Sequence, residues 1–246
     1  MKFLNTELDN LTMEEAIDQI EVLIKNKKPS YVVTPNVDHI VKLEQDEEFK
    51  KIYEDASLIL PDGKPLLWIA KRMNTPIKEK VSGSDLFPKL CERASEKGYR
   101  MFFLGAKEGI AKQAAENLTK RFEGLEVVGT YSPSFGFEQK SDELNEIRNM
   151  IWKANPDILI VGLGCPKQEK FVHEYCKELG VPVALCLGAS MDFEAGNIKR
   201  APKWMQNVGL EWFYRLIKEP RRMFRRYLVD DIQIFQIYRK YRLDNE

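Results

Sequence analysis

Histidine is nearly absent from this 246-residue chain, and its few cysteines are scattered. Only His39 and His173 carry imidazoles, and Cys91, Cys165, Cys176 and Cys186 form no Cys-x-x-Cys pair. A zinc site needs such ligands at close spacing, so no metal site is expected, and unpaired thiols suit a reducing compartment. Long apolar runs are missing too. The longest uncharged stretch, around Val181–Leu187, lies between Glu178 and Asp192, too short for the roughly 20 apolar residues of a membrane-spanning helix. Met1–Leu11 already holds Glu7 and Asp9 and has no apolar leader core. The expectation is a cytoplasmic chain that meets the inner face of the cell membrane only peripherally. There is no P-loop and no full Gly-x-Gly-x-x-Gly, which disfavours an ATPase or a standard dinucleotide site.

What is present is enough for a real core, with 43% hydrophobic residues. Charge is balanced overall but unevenly placed. From Lys199 onward 12 Lys and Arg face 6 Asp and Glu, so this tail carries +6 and the remainder −6. Such asymmetry points to a tail that meets an anionic surface or ligand.

Apolar strands alternate with helices through most of the chain. Thr12-x-x-Glu15 reads as a capping box opening a helix. Strands are expected at Tyr31–Val33, Ser57–Leu60, Arg100–Leu104, Leu125–Tyr131, Asp157–Val161 and Val181–Leu187, with helices at Val41–Tyr53, Leu86–Lys97, Gly109–Phe122, Asp142–Lys153 and Pro166–Leu179. Continuous apolar strands between helices predict an α/β fold: a Rossmann-like, mostly parallel sheet with helices on both faces. Near Lys199 the alternation stops. Helix is expected at Pro202–Val208, Leu210–Leu228 and on to about Tyr241. The domain reading is therefore an α/β core over 1–198 and a basic helical appendage over 199–246.

In open parallel sheets, ligands bind beyond the carboxyl ends of the strands. The unusual residues cluster there: Thr34-Pro-Asn-Val-Asp38, Pro61-Asp-Gly63, Gly105-Ala106, Gly162-Leu-Gly-Cys-Pro-Lys-Gln168 and Gly188. Glycine and proline are ordinary βα-turn residues, so each turn alone is structural; five on one edge predict a shared pocket. Gly105-x-x-x-Gly109 and Gly162-x-Gly164 can bring backbone N–H groups to a phosphate. Ser82-Gly-Ser-Asp85 is either a helix cap or a substrate contact. Asp62, between Pro61 and Gly63 at a strand end, is the leading candidate for a general base; the alternative is that it caps its own turn. Asp38 and Asp192 are weaker candidates. His39 reads as a satisfied core or turn histidine, and His173 as a packing or surface residue.

On a helical wheel, Trp212, Phe213, Leu216, Ile217, Met223, Phe224, Tyr227 and Leu228 fall on one side of the tail, and Arg215, Lys218, Arg221, Arg222, Arg225 and Arg226 on the other. Pro220 kinks the helix or starts a new one. Three readings follow: an appendage packed on the core with a solvated basic face, an interfacial helix on anionic lipid, or a nucleic-acid binder. The acidic remainder of the chain speaks against nucleic acid. Some arginines can instead turn inward onto a diphosphate.

Together these segments resemble the WecG/TagA/CpsF family of bacterial glycosyltransferases. The resemblance is carried in order by Thr34-Pro-Asn-Val-Asp38, Pro61-Asp-Gly63, Gly83-Ser-Asp85, Phe103-Leu-Gly-Ala106, Gly162-Leu-Gly-Cys-Pro-Lys-Gln-Glu169, Gly188 through Gly196, Arg200-Ala-Pro-Lys-Trp204, and Gly209 through Arg226-Tyr-Leu. It implies an inverting, metal-independent transferase without a cofactor. The implied reaction moves N-acetylmannosamine from a UDP-sugar donor to an undecaprenyl-diphosphate-linked N-acetylglucosamine acceptor in wall teichoic acid synthesis. Alternatives are another UDP-sugar, carrying N-acetylmannosaminuronic acid or glucose, or a non-catalytic nucleotide-sugar binder. The resemblance puts the base on Asp62 and diphosphate contacts on Arg215, Arg222 and Arg225. It puts substrate contacts on Thr34, Asn36, Asp38, Gly83, Asp85, Gly105, Ala106, Gly162, Gly164, Pro166, Gln168, Glu169 and Gly188. It also implies an anionic membrane surface as partner, and a homo-oligomer exchanging with monomer.

Overall fold

The computed structural model describes residues 1–243; Arg222, a candidate diphosphate ligand, lies outside the described side chains. The chain opens with a small antiparallel pair, β1 (Lys2–Phe3) and β2 (Thr6–Glu7). Six further strands form one parallel sheet: β3 (Ser30–Val33), β4 (Leu58–Ile59), β5 (Arg100–Gly105), β6 (Glu126–Tyr131), β7 (Ile158–Gly162) and β8 (Val183–Cys186). Their order across the sheet is β4-β3-β8-β7-β5-β6. This is the α/β architecture expected from the alternation of apolar strands and helices.

The period-2 geometry of the strands explains the two cores. Tyr31, Val33, Phe102, Leu104, Leu159 and Val161 point to one face, where helices Val37–Gln45, Glu47–Glu54, Ser141–Ala154 and Lys167–Leu179 cover them. Val32, Met101, Phe103, Ile158, Ile160, Val183 and Leu185 point to the other, under helices Met13–Asn26, Gly83–Lys97 and Ile110–Arg121. Phe87 meets Phe103 edge to face at 5.1 Å, fixing the helix that begins at Gly83 on the sheet. Being buried on both faces, these strands need no polar alternation, which is why they read as unbroken apolar runs.

Several local expectations change. Thr12 and Glu15 do form the capping box, with Glu15 N donating to Thr12 Oγ1 at 3.3 Å and Thr12 N donating to Glu15 Oε2 at 2.8 Å. The single helix expected over Val41–Tyr53 is two helices, because Asp46 is extended and its Oδ1 accepts from Phe49 N at 3.0 Å to cap the second. A helix at Lys64–Arg72 was not expected, although Gly63 followed by Pro65 in its first turn is a recognisable start. The tail is a chain of short pieces: Lys203–Asn207, Glu211–Lys218, Pro220–Arg225, a wide turn over Arg226–Asp230, a tight turn over Asp231–Gln233, and Ile234–Leu243. The break falls at Glu219, directly before Pro220.

Because every large-sheet pairing is parallel, all the strand ends leave on one edge. At β5 and β7 that edge is tight. Gly105 has φ +120°, and a Cβ there would stand 2.5 Å from Gly162 O. Ala106 N then donates to Gly162 O at 2.9 Å. Gly105→Ala should therefore lower stability by about 2–4 kcal/mol, from left-handed strain plus backbone overlap. Thermal melting by circular dichroism checks this; a melting temperature equal to the parent would show that the strand ends separate freely.

Candidate active site

The chain leaves β3 through Thr34, whose hydroxyl donates to Cys186 O at 3.1 Å and ties two neighbouring strand ends. Pro35 O then accepts Asp62 N at 2.8 Å, while Pro61 O accepts Val81 N at 2.9 Å. Backbone bonds on both sides thus pin the turn that carries Asp62. Its carboxylate accepts no hydrogen bond among the described residues, so Asp62 does not cap that turn. Burial pushes its pKa up to about 6; Lys80 works against the shift, Glu211 adds to it, and Arg215 and His39 oppose it. Glu211 and Arg215 belong to the tail, which therefore contributes to the field at Asp62.

Asn36 caps the helix Val37–Gln45. Its Oδ1 takes three donors: Asp38 N at 3.1 Å, His39 Nδ1 at 2.9 Å and Arg226 Nη2 at 3.0 Å. Three donors on one oxygen fix which way the amide faces. His39 is buried. Burial disfavours its charge, but Cys165 and Glu169 hold its pKa up at about 10, so the imidazolium donates to Asn36 and faces Glu169 Oε1 at 3.4 Å. Glu169 is fully buried and also accepts Gln168 Nε2 at 2.7 Å, while Gln168 Oε1 accepts Gly188 N at 3.1 Å. One polar network thus runs from the end of β3 past β7 to the end of β8.

Asp38 pairs with Lys42 and lies 3.7 Å from Arg226 Nη2. Burial raises its pKa, but Arg226, Lys42 and His39 outweigh burial and hold it below the usual range. Asp38, His39 and Cys165 bring potential ligand atoms within 4.8 Å of one another. Asp38 and His39 of this trio already have protein partners.

A second cluster lies at the other side of Asp62. Asp85 accepts Lys80 Nζ at 2.8 Å, Ser82 Oγ at 2.5 Å and Arg200 Nη1 at 2.8 Å. Burial opposes its charge, but these donors, Arg200 first, hold its carboxyl far below the ordinary range. Arg200 and Arg215 both approach the Phe193 ring, at 5.8 and 5.2 Å from its centroid. Arg200 Nε and Nη2, Arg215 Nε and Arg226 Nε are buried donors without hydrogen-bond partners. Arg200 Nε also lies 3.7 Å from Glu211 Oε1, and the N–H donors that Arg200 and Arg215 leave unused beside Phe193 suit a multiply charged anion.

The candidate residues divide accordingly. Thr34, Asn36, Asp38, Asp62, Gln168, Glu169, Gly188 and Arg215 come together around the ends of β3, β4, β7 and β8, with Gly83 and Asp85 at one border. Gly83 lets its helix start close against β8: a Cβ there would meet Leu187 O and Ser190 Oγ at 3.2 Å. Gly105, Ala106 and Gly162 are farther along the edge; β5, which ends at Gly105, is four strands away from β4, which leads to Asp62. Gly164 has φ +80° with open space around it, ahead of Pro166 and the helix Lys167–Leu179. Arg225 is exposed, and it is Arg226 that reaches Asn36. Sequence reasoning assigned no site role to Phe193, Arg200 or Arg226. Arg200 stands beside Pro202 in a motif already singled out, and Arg226 was on the basic side of the wheel; neither signal says which arginine turns inward.

The glycosyl transferase WecG/TagA/CpsF family model matches residues 1–246. A Bacillus spizizenii N-acetylglucosaminyldiphosphoundecaprenol N-acetyl-beta-D-mannosaminyltransferase is 34% identical over 199 residues, covering 81% of this chain and 75% of that protein. Its Bacillus subtilis namesake is 33% identical over 214 residues, 87% and 81% of the two chains. A Staphylococcus aureus protein of the same name is 25% identical over 224 residues, 90% and 86%.

The raised pKa of Asp62 has a stability consequence. In the folded chain it titrates at about 6, against 3.8 for an ordinary aspartate, so the folded state binds the extra proton between those values. Stability contributed by the protonated acid is then lost as pH rises through that window. Asp62→Asn should melt higher than the parent at pH 7.5, by about 1–2 kcal/mol after allowing for partial solvent screening, and alike at pH 4. Equal melting at both pH values would contradict a desolvated carboxylate.

Proposed function

The chain belongs to the WecG/TagA/CpsF family of glycosyltransferases, and from that premise we propose that it transfers N-acetylmannosamine from a UDP-linked donor to N-acetylglucosaminyl-diphosphoundecaprenol, with inversion at the anomeric carbon. The observation that carries this reading is Asp62: a pinned carboxylate without a hydrogen bond, raised to about 6 by burial, beside unpartnered guanidinium donors. A base titrating near 6 is ionised at neutral pH and still basic enough to take a hydroxyl proton.

In the proposed reaction, Asp62 accepts the proton of an acceptor hydroxyl. The hydroxyl oxygen attacks the donor's anomeric carbon from the face opposite UDP, the new C–O bond forms, and the bond to the UDP oxygen breaks. UDP leaves with the electron pair. Arg215 and Arg200 meet the growing charge on its diphosphate, the kind of preorganised stabilisation that lowers such barriers most. The Asn36 amide and Gln168 orient the sugar. The protein's own cations thereby supply what a metal ion supplies in other nucleotide-sugar transferases, and the reaction is proposed to survive chelators.

The tail's outer surface supports a peripheral membrane location. Trp212, Phe213, Ile217, Phe224 and Leu228 are exposed, with Arg221 and Arg225 exposed among them. No helix among the described residues is long and apolar enough to cross a membrane. Indole and aliphatic groups next to arginine suit an interface of acyl chains and anionic headgroups. Off the membrane, the same surface is where copies of the chain would associate. The domain division near residue 199 follows from this role.

Asp62→Asn should lower kcat by at least about a hundredfold while leaving UDP-sugar affinity nearly unchanged. In the parent, log kcat/KM should rise with unit slope up to about pH 6 and then level, because only the ionised carboxylate accepts the proton. UDP release from UDP-N-acetylmannosamine and a short-chain lipid-diphosphate N-acetylglucosamine acceptor reads both. An active Asp62→Asn enzyme would remove Asp62 as the base, and a parent active only on another UDP-sugar would replace the donor.

A chain ending near residue 199 should keep a cooperative melt, lose most activity, and no longer float with phosphatidylglycerol vesicles. Flotation of the full chain should weaken as salt rises, since anionic headgroups are screened. A fully active truncated chain would contradict the tail's part in the site.

A further inference from the structure

A carboxylate stands among the arginines proposed to meet the donor's diphosphate. Glu211 opens the helix Glu211–Lys218, one turn before Arg215. Its Oε1 lies 3.7 Å from Arg200 Nε, an ion-pair distance too long for a hydrogen bond. The other edge of the same guanidinium is held firmly, with Arg200 Nη1 donating to Asp85 Oδ1 at 2.8 Å. Lys80 Nζ and Ser82 Oγ fix Asp85 in turn, at 2.8 and 2.5 Å. Arg200 Nε and Nη2 are buried donors without hydrogen-bond partners, and so is Arg215 Nε. Asp85 thus places Arg200, while Glu211 faces its donors without using them. Glu211 also adds to the upward shift at Asp62, and Asp62 and Glu211 both act on Arg200. These side chains therefore share one neighbourhood, with Arg200 and Arg215 on the Phe193 ring at its border.

We propose that Glu211 governs the release of UDP: it is a fixed negative charge beside the diphosphate seat that opposes the product more than the donor. The proposal rests on the transfer reading and the diphosphate seat given above. In a UDP-sugar each phosphate carries one ionised oxygen, because the second phosphate is esterified to the sugar. After transfer the terminal phosphate keeps the electron pair of the broken bond. Above about pH 6 such a phosphate carries one further negative charge. Arginines alone would attract that added charge and hold product more tightly than donor, and slow product release limits turnover in many enzymes. Glu211 opposes the same added charge. Its side chain is 28% exposed, so solvent screens this effect in part. Across a partly solvated gap, one unit charge acting on another changes affinity roughly fivefold. Glu211 and Arg215 sit on one helix of the tail, so docking of the tail brings the attracting and the opposing charge together.

The test measures the affinities of UDP and of UDP-N-acetylmannosamine separately, by calorimetry without acceptor, in the full-length parent, Glu211→Gln and Glu211→Ala. Both variants remove the charge. Each should gain more affinity for UDP than for the UDP-sugar, so that the ratio of the two affinities rises roughly fivefold at pH 7.5. At pH 5, where the terminal phosphate of UDP has taken up a proton, that rise should shrink toward none. The inhibition constant of UDP as product should fall by the same factor as its dissociation constant. Melting curves like the parent's certify that the variants are folded. Acidic residues in a first helical turn also favour the helix dipole. If that is all Glu211 does, the variants melt lower and the affinity ratio stays at the parent's value, which overturns the proposal. Weaker binding of both ligands makes Glu211 a support for Arg200 and overturns it too. A parent that binds UDP with the expected variant ratios but transfers no sugar removes the transfer reading and leaves the charge assignment of Glu211 standing.

Discussion

The docking of a basic tail onto an acidic core is the constraint on which the site depends. The +6 of the tail against the −6 of the remainder is realised at a few places. Arg200 reaches Asp85 at 2.8 Å, Arg226 reaches Asn36 at 3.0 Å with Asp38 alongside, and Lys240 reaches Glu44 at 2.6 Å. The first two contacts flank Asp62. The third holds the helix Ile234–Leu243 on the helix Val37–Gln45, where Ile234 and Ile237 join the core. Partly buried ion pairs are a poor source of stability, since desolvation offsets much of the attraction. Their effect here is positional. They decide which side of the tail faces the core, and so where its remaining charges and its apolar residues go.

That orientation explains an otherwise awkward arrangement of charge. Arg200 shares Asp85 with Lys80 and shares the Phe193 ring with Arg215, while Arg226 lies on Asn36, and all three arginines retain buried N–H groups without hydrogen-bond partners. A folded protein tolerates such donors when an anion completes them during its working cycle. Asp62 sits in the same field and is still shifted upward, because burial outweighs the nearby cations. When a donor diphosphate occupies the guanidinium groups, their influence on Asp62 falls and the carboxylate becomes a stronger base. In the proposed reaction, donor binding would thereby prepare the base for the acceptor.

The alternation of strands and helices was legible in the sequence because strands buried on both faces leave unbroken apolar runs. The strand-end cluster was legible because turns at a parallel sheet edge need glycine, proline and capping side chains. Asp62 was singled out by its place between Pro61 and Gly63, and the structure shows a pinned turn with an unbonded carboxylate. The wheel of the tail separated apolar from basic residues correctly but could not orient them. Met223 is 1% exposed, whereas Ile217 is 60% and Phe224 58% exposed. Orientation is set by partners distant in sequence, Asp85, Asn36 and Asp38, and by the break at Glu219, so no local period encodes it. Arg226 rather than Arg225 turns inward for the same reason. His39 read as a satisfied core or turn histidine, which it is, but its place between Asn36 and Glu169 depends on two separate strand ends, those of β3 and β7.

The apolar surface left outward by the docked tail carries the last consequence. Exposing Trp212, Phe213, Ile217 and Phe224 together is unfavourable in water, and each aromatic or aliphatic side chain gains about 1.5–3 kcal/mol on full burial. The arginine contacts hold that surface out because the same backbone turn cannot bury both sides against one core. The charge pairs that assemble the site and the unfavourable exposure of the apolar side are therefore linked. Any surface that accepts the apolar side lowers the free energy of the docked tail relative to an undocked one. In the proposed reading, a membrane would complete the site by removing the penalty that docking creates, and would tie catalysis to the place where the lipid-linked acceptor resides.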